Sequence, residues 1–237
     1  MDASLPGGSR VDQTPGDGKS WTTTFKELGM QATQNFDPLK QFKAHFCGFA
    51  FYNGQPNRQV ELHHYVAAIN DDVFQCAVFD SPDAGARLIG IEYVVTEKIF
   101  CMLDEEEQKF WHNHAFDVKS GSFIAPGLPW ALEKKVMADM MPTYGKTFIL
   151  WQTDRGDKLP LGPPQLMMTA NADGQWQDKL FRTREQRRGA HYKFADILTN
   201  REEMVMPPIH PGCDQWATDL LALQCKMERV ISEDYKD

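Results

Sequence analysis

Between residues 44 and 95 apolar and polar positions alternate in runs too short for helices, which predicts strands. Residues 45–52 are apolar and aromatic. Asn53-Gly54 is a tight-turn signal, and residues 59–66 follow as the second arm of a hairpin with a longer loop through Pro56 and Asn57. Residues 73–79 make a further strand, 80–85 a turn by composition, and 86–95 the strongest strand in the chain. The period then changes. Thr96 heads a short helix with Ile99, Phe100 and Leu103 inward, and Asp104-Glu-Glu-Glu107 has the spacing of a capping box, which predicts a helix running into Trp111 and on toward His114. Residues 122–125 are strand-like, 130–141 helical up to Pro142, and 145–153 strand-like again. Near the C-terminus Trp216, Leu220, Leu223, Met227 and Val230 recur at helical spacing behind Asp214 as N-cap. Consecutive strands with separate helices give an α+β class: a mainly antiparallel sheet with packed helices in a single domain. Residues 1–24, rich in Gly, Pro, Ser, Thr and Asp, read as a disordered tail, leaving 25–232 as the domain.

Alternation also sorts the chemistry. In Arg58-Gln-Val-Glu-Leu-His-His-Tyr65 it puts Glu61, His63 and Tyr65 on one face and Val60, Leu62, His64 and Val66 on the other. His63 then meets solvent or substrate, whereas His64 needs a partner if buried. Glu92 interrupts an apolar strand on the face of Leu88, Gly90 and Val94, where a buried carboxylate needs a counter-charge. Arg87 lies on the other face, so a histidine, a metal or a different salt bridge must satisfy Glu92. His112 and His114 form a second pair. They share a face only in extended chain, because two residues of helix separate them by about 200°. Simultaneous ligation therefore requires the preceding helix to end near Trp111. Neutral imidazoles with a carboxylate suit Zn²⁺ or Fe²⁺. The candidate site comprises Glu92 and His63 as acid–base groups, His64, His112 and His114 as ligands of one divalent metal, and Tyr93, Phe110, Trp111 and Trp151 as an apolar wall. The competing reading makes these histidines structural, bonded to carbonyls, paired with carboxylates or covering a helix end.

Composition narrows the classes. A hydrophobic fraction of 42% over 237 residues is enough for a sizeable core without disulfides. A net charge of −8 argues against nucleic acid as partner. The five cysteines are scattered and odd in number, which suits reduced thiols in an intracellular compartment, and Cys76 and Cys101 lie in apolar segments that predict burial. The N-terminal residues lack the basic and apolar regions of a secretory signal, and no apolar run approaches the roughly 20 residues of a spanning helix, so lipid contact is expected to be peripheral. No glycine-rich phosphate loop follows a strand. The basic run 179–193 reads as a solvated helix face.

The double-histidine strand, Asp80-Ser-Pro-Asp-Ala-Gly-Ala-Arg-Leu-Ile-Gly-Ile-Glu-Tyr93, Trp111-His-Asn-His-Ala-Phe-Asp-Val-Lys119 and Trp151-Gln-Thr-Asp-Arg-Gly-Asp-Lys-Leu-Pro-Leu-Gly-Pro-Pro164 together resemble the oil body-associated protein family over about residues 36–170. The region 175–232 is divergent and reads as helical. The resemblance implies contact with a lipid-droplet surface, as for the plant members on seed oil bodies, and it implies no reaction. Typical members carry further Cys and His residues where this chain has Val66, Ala68, Ile149 and Ala50 or a neighbour. Losing these polar positions either removes a family-wide site or turns it to a different, more apolar ligand. Two functions stay open: a histidine–carboxylate pocket for a small, largely apolar molecule, metal-assisted or not, and a non-catalytic protein acting through its surface.

Overall fold

The computed structural model describes residues 14–188, 193–219 and 222–228. Its strands are β1 (Ala44–Tyr52), β2 (Gln55–Ala68), β3 (Val73–Phe79), β4 (Leu88–Thr96), β5 (His112–Asn113), β6 (Thr143–Ile149) and β7 (Gln165–Met168). All pairings are antiparallel, in the order β4-β3-β2-β1-β7-β6-β5, and β4 also pairs with β6. That last pairing closes β1, β2, β3, β4, β6 and β7 into a six-stranded barrel, with β5 attached beside β6. The α+β class holds, and its sheet is a closed barrel rather than an open layer.

The hairpin is tighter than expected. Tyr52 lies opposite Gln55, so Pro56 and Asn57 already belong to β2. Gly54 takes the left-handed φ of +81 that this turn needs. A register shift between Val78 and Phe79 brings Ile89 into the core and leaves Leu88 on the surface. One end of the barrel is filled by Ala50, Tyr52, Leu62, Val78, Ile89, Ile149 and Met167.

The helices are α1 (Trp21–Thr33), α2 (Glu97–Phe100), α3 (Glu105–Gln108), α4 (Ala115–Lys119), α5 (Trp130–Met140), α6 (Asp178–Arg188), α7 (Phe194–Arg201) and α8 (Gln215–Thr218). The chain is helical from Trp21, inside the expected tail, and residues 1–13 of that tail lie outside the described residues. Asp104 caps α3 by accepting from the Glu107 amide, but the helix stops at Gln108. The Glu107 carboxylate accepts from Trp111 Nε1 and pairs with Lys146, and Trp111 N donates to Gln108 O, so the chain leaves the helical path and enters β5.

The expected C-terminal helix shrinks to the four residues of α8, and 222–228 is irregular. Leu220 and Val230 lie outside the described residues. Side-chain bonds replace helix bonds there. Gln224 accepts from Leu166 N and donates to Asn53 O and Leu166 O, while Trp216 and Leu223 pack around Phe51. Arg184 departs from the solvated face expected of 179–193: it is buried, and it donates to Gly121 O and Ser122 O. Cys101 is exposed, contrary to expectation, whereas Cys76 is buried.

Candidate metal centre and cavity

Register brings the candidate groups together. Inside the barrel His64 stands opposite Phe46 and Val78, Cys76 opposite Glu92, Glu92 opposite Thr147, and His112 opposite Gly145. The end of α3 at Gln108 leaves His112 in extended chain, with His114 just before α4, so both rings turn toward Glu92. His112 Nε2 is 3.4 Å and His114 Nε2 3.8 Å from Glu92 Oε1. On the other side His64 Nδ1 is 2.7 Å from Glu92 Oε2, yet the approach lacks hydrogen-bond geometry. All four groups are buried.

Glu92 thus joins two sets of donors whose atoms lie within 4.8 Å of one another: Glu92 with His112 and His114, and Glu92 with His64 and Cys76. The first set fits a metal better. Ligand atoms on tetrahedral zinc at 2.0–2.1 Å are about 3.4 Å apart, which matches the His112 and His114 spacings and not the 2.7 Å of His64.

The hydrogen-bond network assigns the lone pairs. Thr143 Oγ1 donates its single hydrogen to Met140 O, so it can only accept from His114 Nδ1, 2.8 Å away. In the neutral ring His114 Nε2 then carries the lone pair, and it faces Glu92 Oε1, itself an acceptor whose hydrogen bond comes from Thr147 Oγ1. Two acceptors facing each other in a buried place call for a shared cation, a proton on Nε2 or a metal ion. Gly145 makes the room. A Cβ there would sit 2.5 Å from Glu92 Oε1, 2.8 Å from His112 Nε2 and 2.9 Å from His114 Nε2. Burial pushes the Glu92 carboxyl up, but the charge of His64 and the contacts of His112, His114 and His64 outweigh it and hold the group well below the usual carboxylate range. Burial lowers His112, against the pull of Glu92, and favours the neutral, ligating imidazole.

A cavity of about 550 Å³ opens from this cluster toward the other end of the barrel. His64, Cys76, Glu92 and Thr143 lie in its polar part, and Phe46, Val66, Phe74, Val94, Phe123 and Met140 are among its apolar walls. Gln41, Lys43, Asp71 and Asp139 also line it.

The aromatic wall expected from sequence is elsewhere. Tyr93 faces out of the barrel and is exposed; Trp111 packs with Phe100 and Tyr144; Phe110 bridges that cluster and the one around Phe51; Trp151 joins the filled end of the barrel. His63 is also separate. It lies on the outer face with Cys47, Glu61 and His45, and its Nδ1 is 3.2 Å from His45 Nε2. Burial, then His45 and the arginines 187 and 188, depress His63 to about 2, and Glu61 is occupied by Arg187 and the Cys47 thiol. Sequence reading missed Cys76, Thr143, Gly145 and Thr147. The signal for three of them was present, since Thr143, Gly145 and Thr147 alternate as small or polar positions along β6.

Behind the site Asp214 is buried, and burial raises its carboxyl to about 7. A carboxyl whose pKa is higher in the folded than in the unfolded state favours folding below the unfolded value. That contribution is lost as pH climbs from about 4 to about 7, on the order of 4 kcal/mol at most. Asp214 also holds a left-handed φ of 52, which asparagine tolerates. Asp214→Asn is expected to stabilise the protein by about 1–3 kcal/mol at pH 8 and by little at pH 4, as read from urea midpoints at the two pH values. Equal effects at both would refute the assignment.

The chain matches the family model described as protein of unknown function (DUF1264) over residues 36–204, farther toward the C-terminus than the motif blocks reach. It is 43% identical over 205 residues to oil body-associated protein 2B of Zea mays, covering 85% of this chain and 82% of that protein. Oil body-associated protein 1A of Zea mays is also 43% identical, over 201 residues, with 84% of each chain covered. Oil body-associated protein 2A of Arabidopsis thaliana is 45% identical over 155 residues, covering 65% of this chain and 63% of that protein. No solved structure matches.

Proposed function

Since the chain belongs to the oil body-associated (DUF1264) family, we propose that it works at the surface of lipid droplets, where its barrel holds one divalent metal ion and receives a small, largely apolar ligand. The observation that carries this reading is the pair of facing acceptors, Glu92 Oε1 and His114 Nε2, with His112 Nε2 beside them, next to an apolar cavity. Zn²⁺ and Fe²⁺ both accept such nitrogen and oxygen donors. When bound, the ion would act as a Lewis acid on a ligand oxygen. Glu92, His112 and His114 are the groups that would hold it. His64, beside Glu92 Oε2 and in contact with the cavity, is placed to take or give a proton at the ligand. His63 has no part in this assignment.

The lipid surface comes from the relatives, which are named for association with oil bodies. Among the described residues no helix is long and apolar enough to cross a membrane, which supports peripheral contact. Elemental analysis of purified full-length protein is expected to give about one zinc or iron per chain, and His112→Ala with His114→Ala to lose it while circular dichroism stays unchanged. The same double variant is expected to bind a fluorescent fatty acid at least about tenfold more weakly. Metal-free wild-type protein that ignores the fatty acid would remove the reading.

A further inference from the structure

Helix α1 has no buried residue. At 100° per residue, Trp21, Phe25, Leu28 and Ala32 fall within one narrow stripe. Trp21 is 90% exposed, Phe25 80% and Leu28 58%. Two bulky aromatic rings on one stripe, covered by nothing among the described residues, are costly to leave in water. At about 1.5 Å per residue the 13-residue helix is roughly 20 Å long, too short for a hydrocarbon core of about 30 Å, so a lipid occupant must be met side-on.

The polar side selects the kind of surface. Of its charged residues Lys26 and Glu27 cancel, and Glu27 is already paired with Lys19 at 2.8 Å. Threonines and glutamine make up most of the remainder. Such a helix gains nothing from anionic headgroups and holds by apolar insertion alone. We infer that the Trp21–Phe25–Leu28 stripe of α1 is the element that docks this protein onto a phospholipid monolayer over neutral lipid, by insertion and without charge attraction. The inference rests on the lipid-surface reading above and assigns it a residue set. A partner helix or a second copy is the competing occupant; the lipid-surface reading, drawn from relatives named for oil bodies, favours the monolayer.

Flotation of full-length protein with triacylglycerol droplets coated in phosphatidylcholine tests it. Wild-type protein is expected to float. Trp21→Ser with Phe25→Ser is expected to reduce the bound fraction at least about tenfold, with metal content and circular dichroism unchanged. Raising salt from about 0.1 to 0.5 M is expected to change binding by less than about twofold. Wild-type protein that fails to float overturns the lipid-surface reading and this inference together. Wild type and double variant floating equally overturns the inference alone, as does strong weakening by salt. Concentration-dependent dimerisation in sedimentation, abolished by the double variant while flotation persists, would assign the stripe to a second copy.

Discussion

Gly145→Ala is expected to abolish stoichiometric metal binding and to destabilise the metal-free protein by about 1–3 kcal/mol. The added methyl would meet Glu92 Oε1 at 2.5 Å and the two Nε2 atoms at 2.8 and 2.9 Å, all shorter than such contacts allow. Gly145 cannot retreat, since its backbone is paired to β4 opposite Val94 and to β5 opposite His112. The side chains must yield instead. Glu92 then leaves Thr147 and His64, and a buried carboxylate loses the groups that stabilise its charge. Loss of metal affinity by at least about 100-fold is expected, measured by titration with Zn²⁺, alongside a urea midpoint taken in chelator. A variant that retains one ion per chain with an unchanged midpoint would show that the space over Gly145 serves no ligand.

Arg201→Met is expected to cost about 3–5 kcal/mol. Arg201 is fully buried, donates to Val118 O at 2.6 Å and Phe123 O at 2.7 Å, and pairs with the buried Glu133. Removing the guanidinium leaves the Glu133 carboxylate without its counter-charge and two carbonyls without this donor. The double change Arg201→Met with Glu133→Leu is expected to recover a large share of the loss, because no lone charge stays behind. Denaturant midpoints of the wild type, both single variants and the double variant form the test, and purely additive losses would contradict it. Metal content should fall as well, since Arg201 fixes the segment carrying Phe123, whose ring stacks on His114 at 5.5 Å.

Much of the site was legible because it rests on period-two alternation. His64 among Val60, Leu62 and Val66, and Glu92 beside Gly90 and Val94, could each be assigned to a face of its own strand from the sequence alone. The pairing of β4 with β6 could not, since strand patterns say nothing of which distant edge meets which. Without that closure, nearness in sequence stands in for nearness in space and points to Tyr93 and Trp151 for a wall that Phe74 and Phe123 help to form. The helix expected through His114 failed for a local reason. The capping signal at Asp104 is real, but Glu107 serves Trp111 and Lys146 and so cannot reach back to complete the box. The C-terminal stripe failed for a tertiary one. Trp216 and Leu223 do meet the core, from irregular chain held by Gln224.

The barrel is a cup with a continuous wall. Its strands pair into a closed ring, and one end is stopped with apolar side chains. On the proposed function, a ligand that reaches Glu92 would leave through the opening by which it came. An incoming ligand would have no way to push a resident one out from behind, so each would have to leave before the next could enter.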